Sequence, residues 1–216
     1  MQNFCCENLS FYYGKKVILD NISFQINKGD IIALVGNNGS GKTTFLKLLA
    51  GIIKHHKFKT NYSVSFLIED PAFYPYLSGE QNLRYFEMVY EKRLLNYKEA
   101  LCVVGLQSDK DKKFQYYSYG MKERLAIAKC LLMDAQIYLF DEPLNGVDAK
   151  NIYLFRNIIK FLSDKGKIII ISSHILSELD KYCNKLFIID EFHHLHSYVL
   201  EKDGLAIEEI FLGDVK

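Results

Sequence analysis

Gly36-Asn37-Asn38-Gly39-Ser40-Gly41-Lys42-Thr43 decides how this chain is read. It follows the apolar run Ile31-Ile32-Ala33-Leu34-Val35, which has the character of a buried strand, and precedes Thr44-Phe45-Leu46-Lys47-Leu48-Leu49-Ala50, which reads as a helix. Strand, glycine-rich turn and helix come in the order a phosphate cradle needs. Glycines at 36, 39 and 41 turn without a Cβ in the way, so successive backbone N–H groups point inward, and the helix adds the positive end of its dipole. Lys42 is placed to reach the β- and γ-phosphates as a flexible point charge, and the Thr43 hydroxyl to ligate Mg²⁺.

Working outward, 216 residues suffice for one large α/β domain, with or without a small insertion, but not for two full domains. The 27 basic residues nearly balance the 26 acidic ones, so no overall charge announces nucleic acid or an anionic membrane as partner. Met1-Gln2-Asn3-Phe4-Cys5-Cys6-Glu7 lacks a basic segment followed by an apolar core, and no apolar run approaches the roughly 20 residues of a membrane-spanning helix. A soluble, intracellular protein is expected. Cys5, Cys6, Cys102, Cys130 and Cys183 are odd in number and show no C-x-x-C spacing, which favours reduced structural thiols over disulfides or zinc. His193, His194 and His196 near Glu191 admit a metal cluster or a solvated turn, and their close spacing favours the turn. The basic stretch Lys54, His55, His56, Lys57 and Lys59 reads in the same way as a solvated loop rather than a nucleic-acid contact.

Taken in order, residues 8 to 28 alternate apolar and polar around Tyr13-Gly14-Lys15-Lys16, as in an antiparallel hairpin. Tyr12 and Tyr13 sit at its turn, where a ring can stack on a purine or serve as an ordinary strand aromatic. Val64 to Ile68 is expected to be a strand that delivers Glu69 and Asp70, after which Pro71 and Pro75 force an irregular crossing. From Ser78, spaced with Gln81 as a capping box, the chain turns helical; a second helical pattern covers about 96 to 104 and ends at Gly105. Tyr117-Ser118-Tyr119-Gly120-Met121 opens a strongly periodic helix whose amide-rich start is a second candidate anion site. Ile137-Tyr138-Leu139-Phe140 then delivers Asp141 and Glu142, and chemistry in an open parallel sheet collects at such strand ends, on the side of Lys42. Lys167 to Ile171 ends in Ser172-Ser173-His174, Lys185 to Ile189 is expected to close the sheet, and Leu205 to Leu212 reads as a terminal helix.

These stations together resemble the nucleotide-binding domain of ABC transporters over nearly the whole chain. Gly36 to Thr43 resembles the Walker A loop, Ile137 to Asp141 Walker B with the family's glutamate at Glu142, and Ser118-Tyr119-Gly120-Met121 the signature loop. Asn145-Gly146-Val147-Asp148 resembles the D-loop and His174 the switch histidine. The resemblance implies an α/β fold with a P-loop NTPase core of mostly parallel sheet, an antiparallel β edge and a small helical insertion. It implies one ABC ATPase domain over residues 1–216, with the core in 1–70 and 118–216 and the insertion in about 71–117. ATP and Mg²⁺ are the implied cofactors. ATP binding falls to Gly36, Asn37, Asn38, Gly39, Ser40, Gly41, Lys42, Thr43 and Thr44, with Tyr13 stacked on adenine. Asp141 and Thr43 are the implied metal ligands, Glu142 the general base and His174 the γ-phosphate contact. Two such domains would close head to tail, so that Ser118, Tyr119, Gly120 and Met121 meet ATP held by the partner, with Asp148 at the same interface.

The chain departs from the family pattern at Glu69, where glutamine is usual. A carboxylate there can join the metal site or change coupling to a permease. Ile68-Glu69-Asp70-Pro71 with Tyr74-Pro75 is similar to the ATPases of bacterial exporters for bacitracin and lantibiotics. The segment from Gly51 to Glu69 is shorter than usual, and Tyr119 replaces a glycine of the signature loop. The leading expectation is an ATPase subunit, peripheral at the inner face of the cell membrane, powering a separate permease. A soluble ABC ATPase acting on ribosomes or DNA, and a nucleotide-dependent switch without turnover, are the alternatives. Cargo, direction of transport and homodimer against heterodimer stay open, and no nucleic-acid partner is expected.

Overall fold

Continuous apolar runs that bury residues on both sides of the strand are stable only between two covering layers. Such runs form β3 (Ile31–Gly36), β5 (Ile137–Asp141), β6 (Ile168–Ser172) and β7 (Lys185–Ile189). In the computed structural model, which describes residues 4–56, 62–67, 72–146, 148–201 and 204–214, they join β4 (Val64–Leu67) and β8 (Leu195–Val199) in one sheet. Its spatial order is β4-β5-β6-β3-β7-β8, parallel throughout except for the β7/β8 pair. The segment 185–189 therefore does not close the sheet, contrary to the sequence reading. Leu195–Val199 turns back on it and takes the edge, with a mixed composition that lacks a long apolar run.

The two faces of the sheet alternate by residue. Ile32 and Leu34 of β3 face one core, and Ile31, Ala33 and Val35 face the other. Asn184 anchors the start of β3: its side-chain oxygen accepts from the Ile31 amide at 2.9 Å and its own amide donates to the Ile31 carbonyl at 2.9 Å. Over the first face lie α1 (Lys42–Leu49) and an antiparallel hairpin of β1 (Phe4–Tyr13) and β2 (Lys16–Ile26), which forms a separate two-stranded sheet. Phe45 of α1 sits at their junction, edge-on to Phe24 of β2 at 5.2 Å and to Phe187 of β7 at 6.3 Å between centroids.

The second face carries α4 (Tyr119–Leu132), α5 (Ala149–Asp164) and the terminal α7 (Ile207–Asp214). Residues 72–117 contribute α2 (Gly79–Glu87) and α3 (Tyr97–Val103), which bury Leu83, Ala100 and Leu101 in the same core as α4. Both helices start with a capping box, Ser78 with Gln81 and Asn96 with Glu99. Asn82, fully buried, ties the preceding turn to α2: its oxygen accepts from the Tyr74 amide, and its NH₂ donates to the carbonyls of Tyr74, Leu77 and Ser78. Glu69, with Ile68, Asp70 and Pro71, lies outside the described residues, as do Lys57, Lys59 and Val147.

An ion cluster around the buried Glu178 joins α5 to α6 (Leu176–Leu179). Arg156 donates through Nε and Nη2 to both oxygens of Glu178, at 2.9 and 3.0 Å, and Lys181 adds a bond of 2.6 Å. Burial works to raise the Glu178 carboxyl, but the hydrogen bonds and charges of Lys181 and Arg156 outweigh it and leave it below the usual carboxylate range.

Two measurements test this packing. Phe45→Ala is expected to lower unfolding free energy by about 3–5 kcal/mol in urea, because the cavity lies among aromatic rings that cannot collapse into it. A carboxyl depressed on folding contributes stability above its unfolded pKa and loses it as pH falls through the folded value. Stability should therefore drop on acidification below about pH 4.5, and that acid-dependent loss should be smaller in Glu178→Gln.

Candidate nucleotide site

The loop after β3 is shaped by lack of room. A Cβ built on Gly41, whose φ is 112°, would come to 2.7 Å from the Ile18 carbonyl oxygen of β2. One on Gly36 would come to 2.6 Å from both the Ile189 carbonyl oxygen of β7 and Ser40 Oγ. Ser40 donates its amide to the Asn37 carbonyl at 3.0 Å, closing the turn, while its buried Oγ has no hydrogen-bond partner among the described residues. Lys42 opens α1 and folds its ammonium back over the loop, donating to the Gly36 carbonyl at 2.7 Å and the Asn37 carbonyl at 3.3 Å. Burial lowers the Lys42 pKa, against the pull of Glu142 and Asp141, which raise it.

Those carboxylates stand across a cavity of about 260 Å³ that brings together Asn38, Gly39, Gly41, Lys42, Thr43 and Thr44 with Asp141 and Glu142. Asn38, Gly39 and Thr43 are exposed to solvent at its mouth. Ile18 forms its wall, a contribution the sequence reading missed; only its place at the foot of the hairpin, ahead of the loop, hinted at it.

Ser172, fully buried at the end of β6, organises the acidic edge. Its hydroxyl donates to Asp141 Oδ1 at 2.6 Å and accepts from the Glu142 amide at 2.9 Å. Glu142 takes φ 49°, uncommon for a residue with a Cβ and frequent where side chains are aimed for chemistry. Its Oε2 lies 3.0 Å from His174 Nδ1, and the imidazole is the more exposed partner, 62% against 28%.

A second cavity, about 390 Å³, lies at the start of α4, lined by Ser118, Tyr119, Gly120, Arg124, Gly146 and Asp148 among others. Ser118 caps α4 by accepting from the Met121 amide at 3.3 Å, and Asp148 caps α5 by accepting from the Asn151 amide at 2.9 Å. Tyr119 lies along the surface with its ring over Gly146 and its hydroxyl 3.5 Å from the Asn145 carbonyl. Met121 turns its side chain into the core. None of Ser118 to Met121 lines the Lys42 cavity, so one chain carries the two candidate anion sites apart. Tyr13 also stands outside the Lys42 cavity, half exposed at the end of the hairpin and edge-on to Phe11 at 5.0 Å.

Glycines crowded by backbone, a lysine over their arc and hard oxygen donors at Thr43 and Asp141 fit a triphosphate with a divalent cation. They define a P-loop nucleotide-binding site on a doubly covered parallel sheet. The family model for ABC transporter matches residues 19–145, and the chain belongs to that family as an ATP-binding domain. It is 34% identical to the lantibiotic transport ATP-binding protein SrtF of Streptococcus pyogenes, over 97% of this chain and 96% of that one. With the bacitracin transport ATP-binding protein BcrA of Enterococcus faecalis it shares 35% identity over 87% of this chain and 66% of the relative. With the uncharacterized ABC transporter ATP-binding protein YdbJ of Bacillus subtilis it shares 35% over 86% of this chain. The chain spans only 65% of YdbJ. Among solved structures, the ATP-binding subunit of an ABC transporter superposes with a TM-score of 0.87 at 24% identity, covering 98% of this chain and 99% of that one. A dimeric ATP-binding cassette in a post-hydrolysis state, bound to ADP and Pi, gives 0.77 at 19% identity, covering 94% and 100%.

Ser172→Ala removes the donor to Asp141 and one acceptor of the Glu142 amide inside a buried setting. It is expected to cost about 1–3 kcal/mol, measured by chemical denaturation.

Proposed function

We propose that the chain is the ATP-binding and ATP-hydrolysing subunit of an ABC transporter, powering a separate membrane permease and acting as an exporter at the inner face of the membrane. The observation that carries this reading is Glu142, turned by its positive φ beside Asp141, against His174 and across a cavity from Lys42. A carboxylate placed there serves water activation, a role worth typically ~10²–10⁴ in rate.

In this reading Lys42 and amides of the loop from Gly36 to Thr44, other than that of Ser40, hold the phosphates. Thr43 and Asp141 would hold Mg²⁺, which would supply positive charge to offset that of the phosphates. Ser172 fixes the rotamer of Asp141. Glu142 takes the proton of the attacking water, and His174, 3.0 Å from that carboxylate through Nδ1, steadies its position; the resemblance gives the same histidine the γ-phosphate contact once nucleotide is bound. Tyr13 stacks on adenine. Ser118, Tyr119, Gly120 and Met121, with Asp148 nearby, serve nucleotide held by a second such domain, which accounts for their distance from Lys42. Glu69 is assigned to the metal or to permease coupling. Residues 1–70 and 118–216 form the core, and about 71–117 the insertion that receives the permease. Among the described residues no helix is long and apolar enough to cross a membrane. The names of the bacitracin and lantibiotic relatives favour peptide antibiotics as the class of cargo.

Glu142→Gln is expected to retain ATP binding, lose hydrolysis by about a hundredfold or more, and form an ATP-dependent dimer on size exclusion. Lys42→Ala should lose most ATP affinity in a titration. Unchanged phosphate release by the first variant, or unchanged affinity in the second, would reject the assignment.

A further inference from the structure

The turn between β7 and β8 carries two histidines, and the start of β8 a third, that the proposed ATP chemistry leaves unused. Asp190, not Glu191, gathers this turn. Its Oδ1 accepts from the amides of Phe192 and His194, at 2.9 and 2.8 Å. Its Oδ2 accepts from His196 Nε2 at 2.9 Å and lies 3.6 Å from His194 Nδ1. Burial works to raise the Asp190 carboxyl, but the His196 bond, the His194 amide and the two imidazoles outweigh it and leave it below the usual range.

Within the turn His193 takes φ 68°, a conformation that residues with a Cβ seldom adopt. It is held from two sides, its amide donating to the Asp190 carbonyl at 3.2 Å and its carbonyl accepting from the Asp20 amide of β2 at 2.9 Å. That backbone carries the ring to the phosphate loop, where Nδ1 lies 3.4 Å from the Ser40 carbonyl oxygen. Ser40 is two residues before Lys42, and the Ile189 carbonyl at the head of the same turn is the atom crowded against Gly36. The turn thus touches the loop at both ends of its arc.

A carbonyl oxygen only accepts, so the contact needs a proton on Nδ1. Neutral imidazole has one proton for two nitrogens, whereas the cation donates from both and makes a stronger, charge-assisted bond. A positive ring beneath the loop also adds to the field felt by an anion bound above it. The titratable and charged groups around His193 are Asp190, Glu191 and His194 on its turn, His196 on β8, Asp20 on β2 and Lys42 at the head of α1.

We propose that His193 is a positioning residue for the phosphate-binding loop, holding the Ser40 carbonyl by a proton-dependent hydrogen bond so that nucleotide binds more tightly when the ring is charged. The inference rests on the ATP-binding reading above. It is tested with ADP and Mg²⁺, so that hydrolysis does not intrude. Asparagine tolerates a positive φ and offers an amide N–H near the place of Nδ1 without titrating. Between about pH 6 and pH 8, the dissociation constant of the unmodified protein should rise about three- to tenfold more than that of His193→Asn. His193→Gly, which relieves the backbone and removes the donor, should bind more weakly than His193→Asn and show the same flat profile. Parallel pH profiles in the unmodified protein and His193→Asn overturn the proposal, as does an equal loss of affinity at every pH. If the unmodified protein does not bind ADP and Lys42→Ala behaves identically, the ATP-binding reading itself falls, and the inference with it.

Discussion

Two backbone carbonyls, from Ile18 on the hairpin and Ile189 on β7, press against the glycines at either end of the phosphate loop. Both are fixed by elements remote in sequence, so the loop's shape is a tertiary property. The hairpin must lie on α1, and β7 must pair with β3, before the loop has walls. The interlocked rings of Phe24, Phe45 and Phe187 hold those three elements in mutual position. Walls fixed from outside the loop hold its backbone in one shape before any anion arrives, which is the preorganisation that anion binding needs.

The acidic side depends on a second constraint, the pairing of β5 with β6. Their register sets Asp141 opposite Ser172, so one hydroxyl serves both the Asp141 carboxylate and the Glu142 amide. Glu142 then leaves the strand with a positive φ instead of continuing the pleat. Conformations of this kind persist only where surrounding bonds over-determine them, and here Ser172 supplies them through both its hydroxyl and its carbonyl.

What could be read from the sequence was what is local in it. The glycine loop, the capping box at Ser78, the apolar strands and the carboxylates at the end of 137–141 all carry their cause within a few residues. Resemblance to ABC domains added the signature loop, whose residues alone said that a helix begins there with a second candidate anion site. The place of β8 was not readable, because Leu195-His196-Ser197-Tyr198-Val199 is no more apolar than a loop and becomes a strand by pairing with β7. Nor could the histidine cluster be matched to Asp190 over Glu191, since the choice follows from how the turn folds. Ile18 and Ser172 belong to the site through sheet and hairpin packing, for which neither residue type gives a sign.

Since apolar layers clothe β3 on both sides, a slip of one residue would not trade oil for water, as it would in a half-wetted strand. The ordinary guard against misregistration is missing here. The duty passes to the two extremities: the amide side chain of Asn184 grips the first residue, and the cramped glycine at the last tolerates no substitute. Mutational tolerance along the strand should accordingly be greatest in its oily middle and least at its polar start and its bare end.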